Sequence, residues 1–469
     1  MATLPKPLTF VVAAIALAAF GAAKSAHAEP PKTMTLEEAM LFALAQHPRL
    51  HMTHANEDAA SARVDEARTG QLPDVGISAQ VNRSTGNTVP GAFFPATGFV
   101  PIAGPTRGRS FDEGSWQSGI ALWATWDVVS LARQAALIDV ALAAEGEAEA
   151  ATSARRLEVA YAVADAYLGV LAAGEAIKAA RANAERAQVF GAVVKTLVAQ
   201  DLRPGADAAR ADAELGAAKI QLARALQGEE VRAAQLSEAM GSAEQRVTVV
   251  AAGLLDPVPA QGPRYAHPAN HPLVREATAG VARAQEIQRS TQLEYLPRID
   301  AVAALWMRGS GLYSGTSLGA AQGLVPDIPN WALGVTATWN VFDIPTIRAR
   351  VRVAAANHRA ASAKKDEVAL AVSGQLRAAS AVLDGAHRVA ENTPPALVSA
   401  RAAETQATAR YKAGLATEIE VADAQRLLAQ AELEDALARI EVRRAALLLA
   451  RAAGDLNPFL AGARAAGAR

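Results

Sequence analysis

The sequence contains two copies of one pattern, and this constrains the fold more than any other feature. Ala45-Gln46-His47-Pro48 is answered by Ala269-Asn270-His271-Pro272, and Gln71-Leu72-Pro73 by Tyr295-Leu296-Pro297, both at a spacing of 224 residues. Trp126-Asp127 is answered by Phe342-Asp343 at 216; Ala208, Ala211, Leu215 and Ala218 match Val421, Ala424, Leu428 and Ala431 at 213. The order is kept while the spacing shrinks after the Leu-Pro pairs, as happens where a surface loop differs in length. The pattern is a tandem duplication, residues 29–256 and 257–469, with its seam between Asp256-Pro257 and Gly262-Pro263. Whatever supersecondary unit one half forms, the other forms too.

Each half opens with a helix. In the first, Thr35 is a candidate N-cap, and Glu38 three residues later completes a capping box. The Leu-Pro pair ends the helical stretch, because a residue before proline is pushed out of the α region. A strand, a loop and a second strand follow. Val75, Ile77, Ala79 and Val81 alternate with Gly76, Ser78, Gln80 and Asn82; Leu333, Val335, Ala337, Trp339 and Val341 alternate with Gly334, Thr336, Thr338 and Asn340. This period of two puts apolar groups on one face and polar groups on the other. Ala121–Asp127 and Ala301–Arg308 alternate less cleanly. The connections Ser84–Ser115 and Gly309–Pro329 are rich in Gly and Pro and are expected to face the cell exterior.

The remainder is alanine-rich and helical. The stretches from about Val128 to Val198 and from about Thr346 to Tyr411 would each span on the order of 100 Å at 1.5 Å per residue. Rods of that length must pair side by side. Ala208, Ala211, Leu215, Ala218, Leu222 and Ala225, spaced by three and four, form a coiled-coil seam. Hairpin tips fall near 200–206 and 412–418, and Pro394-Pro395 should kink or break the second rod.

Compartment and partners are narrowed by what the chain carries. Lys6, the apolar run Leu8–Ala23 and the small-x-small site Ala26-His27-Ala28 read as a signal peptide, residues 1–28. With no Cys, disulfides, thiolate metal sites and a lipidated N-terminal cysteine are excluded. A net charge of −1 argues against nucleic acid as a partner. No later stretch approaches 18 uninterrupted apolar residues, so no transmembrane helix is expected and only a closed barrel would let the chain enter a bilayer. The aromatics Trp116, Trp123, Trp126, Trp306, Trp331, Trp339 and Phe342 all lie in or beside the strands, as a membrane-interface girdle requires. Four strands cannot close a membrane barrel alone, since about eight are needed; several copies must share one.

Tyr411-Lys412-Ala413-Gly414-Leu415-Ala416-Thr417, continuing through Glu420-Val421-Ala422-Asp423-Ala424-Gln425, resembles the signature of the outer-membrane efflux protein (TolC-like) family. Thr35-Leu36-Glu37-Glu38-Ala39, both Leu-Pro pairs and Asn340-Val341-Phe342-Asp343 fit the same pattern over nearly the whole mature chain. The resemblance implies a mainly α chain with a small β part. Long helical coiled-coil hairpins would form a periplasmic tunnel, and four strands per chain would enter a shared trimeric twelve-stranded transmembrane barrel. It further implies a homotrimer in outer-membrane lipid, a periplasmic adaptor docking at the tips, and an inner-membrane pump. The alternative is a periplasmic coiled-coil scaffold or adaptor without a barrel.

Two departures stand out. The first-half tip reads Asp201-Leu202-Arg203-Pro204-Gly205 where the second has Gly414-Leu415, so its turn glycine is displaced. His47-Pro48 and His271-Pro272 replace the family's usual Asn-Pro; either residue should cap the turn.

No catalytic constellation or cofactor motif is present, so no enzyme and no cofactor is expected. His47, His51 and His54 share a helical face, but no carboxylate is spaced to complete a metal site. The candidate functional residues are at the tips. Asp207, Arg210, Glu420 and Asp423 are candidates for a pore-entrance gate, in which a ring of carboxylates would favour cations. The plain alternative is helix capping, where acidic groups suit the N-terminal dipole. Within one half Asp207 and Arg210 can pair, and across the hairpins Arg210 can reach an acidic neighbour. Leu202, Arg203, Gly205, Gly414, Leu415 and Thr417 are the candidate adaptor contacts.

Overall fold

The computed structural model describes residues 33–85, 114–127, 131–242, 246–251, 253–255, 270–310, 312–313, 316–317 and 323–467. The expected signal peptide and most of the first exterior connection lie outside them. In chain order the elements are β1 (Thr33–Met34), α1 (Leu36–Gln46), α2 (Pro48–Thr69), β2 (Asp74–Thr85), β3 (Gly114–Asp127), α3 (Leu131–Ala199) and α4 (Gly205–Ala239). The second half continues with β4 (Thr248–Val249), α5 (Pro272–Gln292), β5 (Arg298–Ser310), β6 (Leu312–Tyr313), β7 (Thr316–Ser317), β8 (Ile328–Thr338), α6 (Ile344–Lys412), α7 (Glu418–Ala453) and α8 (Asn457–Gly467).

The duplication is visible in the elements. The two long rods α3 and α6 have the same length, 69 residues each, or roughly 100 Å. Near the strands α2, α3, α5 and α6 pack in succession; toward the tips α4 and α7 replace α2 and α5 as partners, with α3 against α7. The opening helix carries the expected capping box, with Thr35 accepting from the Glu38 amide and the Glu38 carboxylate accepting from Thr35. His47 and His271 each cap the following helix through Nδ1, which accepts from the Arg49 amide (3.1 Å) and the Leu273 amide (3.2 Å) respectively.

The principal core lies midway along the rods, where α1, α3, α4, α7 and α8 meet. Val163, Tyr167, Leu168, Leu236, Met240 and Leu447 are fully buried there. The Tyr167 hydroxyl sits 2.9 Å and 2.7 Å from the Met34 and Val250 carbonyls and accepts from the Val250 amide at 2.8 Å, tying α3 to the end of β1 and to the residue after β4. Burial pushes its pKa up to about 12. Among the described helices, only α3 contains an 18-residue window apolar enough to cross a bilayer, which the sequence reading did not anticipate. That helix supplies much of the principal core, so its apolarity is accounted for by packing.

The second rod is not broken at Pro394-Pro395: α6 continues as helix from Ile344 to Lys412. Each proline removes an amide that would reach a carbonyl four residues back. The carbonyl vacated by Pro394 is that of Ala390, and the Thr393 hydroxyl lies 3.5 Å from it while also donating to Asp435 Oδ1 at 3.0 Å. With its one proton on the shorter bond to Asp435, Thr393 fastens the proline site to α7.

The membrane-type sheet has the order β2-β3-β5-β8 and is antiparallel throughout. Pro329 lies in β8, and a small β6–β7 hairpin occupies part of the second connection, so the strands extend further than their alternation indicated. Register assigns the faces. Val75–Ala124–Ala303–Leu333 and Ile77–Leu122–Leu305–Trp331 form rows on one face, and Val75, Ile77, Leu305, Trp331, Leu333 and Val335 are all exposed there. Gly76–Trp123–Ala304–Ala332 forms a row on the other, with Ser78, Thr336 and Thr338.

Candidate functional site

The tips begin with the backbone. Asp201 (φ 58°) and Gly414 (φ 72°) both hold left-handed conformations and stand 213 residues apart, the spacing of the repeat. The hydrogen bonds match as well. The Asp201 and Leu202 amides donate to the Val198 and Leu197 carbonyls, and those of Gly414 and Leu415 to Tyr411 and Arg410, at 2.8–3.0 Å. Both rods therefore end in the same Schellman turn. The turn is not displaced in the first half, as the position of Gly205 suggested; an aspartate occupies the glycine position, one of the few residues to tolerate it. Gly205 instead opens α4 after the cap Pro204.

Above the turns, the two hairpins are joined by an arginine on a tyrosine. The Arg203 guanidinium stacks over the Tyr411 ring at 4.4 Å and donates to the Tyr411 (3.0 Å) and Ala416 (3.3 Å) carbonyls. Tyr411 is buried, packs edge-on against Phe190 with ring centroids 5.2 Å apart, and forms a small core with Val194, Ala211 and Val421. Burial raises its pKa, with Asp207 adding to the shift and Arg203 opposing it. Of the candidate docking residues, Arg203 is thus engaged within the chain and Thr417 is the N-cap of α7, whereas Leu202 and Leu415 are exposed.

The candidate gate residues Arg210, Glu420 and Asp423 separate. Glu420 completes a capping box with Thr417 and lies 3.9 Å from Arg410. Asp423 pairs with Arg426 at 3.0 Å. Arg210 reaches across the hairpins to Glu418, 3.6 Å from its Oε2. Glu418 was not singled out from the sequence, where it reads as one more acid in a helix's first turn. Its side chain is 1% exposed, and neither oxygen has a hydrogen-bond partner. Burial raises its pKa, Arg210 opposes the shift, and Asp207 and Glu214 reinforce it.

In the sheet, register divides the aromatics. Trp116, Trp126 and Trp331 are on the apolar face, and Trp339 continues that parity past the end of β8; Trp123 and Trp306 are on the opposite face. Trp123 lies so close to Gly76 that a Cβ there would sit 2.4 Å from its ring. The Trp126 indole donates to the Gln71 carbonyl at 3.1 Å, anchoring the helix-proximal end of β3. Among the described residues, no group of three or more His, Cys, Asp and Glu could hold a metal; His54 instead contacts Glu57 at 3.0 Å.

A sheet with one apolar outer face, continued by two long helical hairpins, defines a protomer of a membrane channel with a helical duct. The chain belongs to the outer membrane efflux protein family, whose model matches residues 42–242 and 266–455, one stretch in each repeat. Solved structures show the same fold. The chain is similar to CusC at 14% identity, covering 90% of this chain and 92% of that one, with a TM-score of 0.75. It is similar to the Vibrio cholerae outer membrane protein VceC at 17% identity, 90% and 96% coverage and 0.71. The open state of the Neisseria gonorrhoeae MtrE outer membrane channel matches at 17% identity, 90% and 89% coverage and 0.73. No curated protein matches the sequence significantly. The protein is an outer-membrane exit duct of an efflux system, its sheet in the outer membrane and its helices extending into the periplasm.

Proposed function

We propose that three copies close one twelve-stranded barrel and that the resulting duct receives substrate from an inner-membrane pump through a periplasmic adaptor at the hairpin tips. The observation that carries this is the sheet's two free edges. β2 and β8, 12 and 11 residues long, each pair on one side only among the described residues. Unpaired backbone groups are costly in hydrocarbon, and only closure satisfies them all. On this reading β8 of one copy pairs with β2 of the next. Trp126 and Trp339 mark the periplasmic boundary of the apolar band, and Trp116 and Trp331 lie toward its outer end. Trp123 and Trp306 face the lumen.

At the tips, exposed Leu202 and Leu415 suit an apolar adaptor contact, and the inter-hairpin links Arg203–Tyr411 and Arg210–Glu418 suit an entrance held narrow at rest. Mass measurement in detergent tests the assembly: a trimer is expected, and a stable monomer overturns the shared barrel. Cysteines placed at Gly91 or Gly315 test the orientation and should react with an impermeant reagent on intact cells. Labelling only after the outer membrane is breached inverts the topology.

A further inference from the structure

Where the rods join the strands, the described residues line an open pocket of ≈ 510 Å³ between the start of α3, the end of α5 and the start of α6. Its polar lining is Arg133, Ser290, Glu294, Asp343, Thr346 and Arg350. Two of its charges are already matched, since Arg350 pairs with Glu294 at 3.0 Å. The other two are not. Arg133 donates through Nη2 to the Leu296 carbonyl at 3.1 Å, but its Nε is buried without a hydrogen bond. Asp343, at the N-cap of α6, makes no side-chain cap bond and no ion pair among the described residues. One unsatisfied cationic donor and one exposed carboxylate without an ion pair among the described residues therefore line the same open pocket.

Its surroundings indicate what reaches it. Leu137 and Ile347 supply an apolar part of the wall. In the single chain Phe342, next to Asp343, is 97% exposed, and Val341 and Trp339 are exposed beside it. Trp339 continues the apolar face of β8 past the strand end, so this apolar surface adjoins the membrane band. Large exposed apolar side chains at the rim of a polar pocket, at the level of a bilayer surface, suit an amphiphile with a charged head.

We propose that the cavity holds the headgroup of a zwitterionic phospholipid, with the phosphate at the Arg133 guanidinium, the ammonium at Asp343 and the acyl chains along Phe342 and Trp339. Charge balance selects this ligand class. A phosphate at Arg133 alone would leave the Asp343 carboxylate unpaired nearby, whereas an ammonium on the same headgroup neutralises it. An anionic headgroup without an amine, such as phosphatidylglycerol, offers no such group and is disfavoured. The site rests on the outer-membrane placement of the sheet.

The test is native mass spectrometry of the full chain, released from micelles containing equal phosphatidylethanolamine and phosphatidylglycerol. The wild type should retain phosphatidylethanolamine preferentially, by about fivefold if one ion pair of about 1 kcal/mol decides it. Asp343→Asn should remove the preference while keeping lipid, and Arg133→Gln should lower retention of both lipids. The wild type also provides a comparison without any variant: phosphatidylcholine, whose quaternary nitrogen has no N–H to donate, should be retained less than phosphatidylethanolamine. Equal retention of all three lipids by the wild type, or wild-type selectivity in both variants, overturns the site. The same spectra report assembly. A trimer without headgroup preference ends this proposal alone, whereas a stable monomer ends the shared-barrel reading beneath it.

Discussion

Arg210 of the first hairpin lies 3.6 Å from Glu418 of the second, and Glu418 is the buried partner of the two. The distance is that of an ion pair rather than a hydrogen bond. The carboxylate loses hydration and recovers only part of it from one half-exposed guanidinium, with Asp207 and Glu214 adding repulsion. The contact therefore links the hairpins while lowering the stability of the tip at neutral pH.

That balance predicts a pH dependence. The folded-state pKa of Glu418 is raised, so the folded tip binds a proton more readily than the unfolded chain. The stability gained from protonation is fully present below the ordinary value of 4.5 and is lost as pH rises through the raised pKa. Glu418→Gln should raise the thermal stability of the tip at pH 7 and flatten its profile between neutrality and 4.5. Hydrogen exchange in residues 407–425 at several pH values measures this; a glutamine variant less protected than the wild type at pH 7 would contradict it.

Breaking the link by charge reversal should act on conduction. Arg210→Glu places a second carboxylate beside Glu418 and is expected to raise single-channel conductance in planar bilayers, with little change in trimer stability. For cation preference, Glu420→Gln with Asp423→Asn is the appropriate pair, because Glu420 also caps α7 and alanine there would cost about 1 kcal/mol of helix stability. Parent-like selectivity in the double variant would leave these two residues as capping and surface groups only.

His271 predicts a dependence of opposite sense. Its Nδ1 accepts from the Leu273 amide while its Nε2 lies 3.1 Å from the Arg451 carbonyl, so the ring caps α5 in the neutral tautomer with hydrogen on Nε2. Burial lowers its pKa below 6.5; the bond to the Arg451 carbonyl opposes that shift, and the Arg451 charge adds to it. Stability from this cap is present above 6.5 and lost as pH falls through the depressed folded value. His271→Asn should keep the cap without the pH dependence, and His271→Ala should cost about 1 kcal/mol at pH 7. Thermal unfolding in detergent at pH 7 and pH 5 separates the three proteins.

Thr393→Val tests the continuity of α6. It should cost about 1–2 kcal/mol, because the hydroxyl's bond to the largely buried Asp435 is lost. Exchange protection should fall on both sides of Pro394-Pro395. Unchanged protection would mean that packing against α7 alone holds the rod through its two prolines.

Much of this architecture was legible because it is local or periodic. The rods, the alternating strands, the Thr35–Glu38 box and the histidine caps each depend on residues within a few positions of one another. The features that were not legible depend on distant partners. Helix through Pro394-Pro395 is helped by a threonine held by Asp435, 42 residues away. Burial of Glu418 is imposed by the neighbouring hairpin. Asp201 stands where the repeat spacing places the turn glycine, but an aspartate is no signal for a left-handed turn by itself. The division of the tryptophans was available from sequence: Trp123 and Trp126, three apart in one strand, cannot share a face. Reading them by residue type alone grouped them together.

The two free edges of the sheet also bear on how the duct is made. A lone protomer carries its apolar face and two rows of unpaired peptide groups through the periplasm, each row a template for adding another strand of any origin. Its mispaired products would draw on the same hydrogen bonds as the finished barrel, so on the proposed three-copy closure yield depends on meeting two sister chains before meeting anything else. Dilution should therefore favour aggregates over ducts unless something shields the edges. Pairing the helical rods first would hold three sheets at high local concentration and leave barrel closure as the last, effectively intramolecular step.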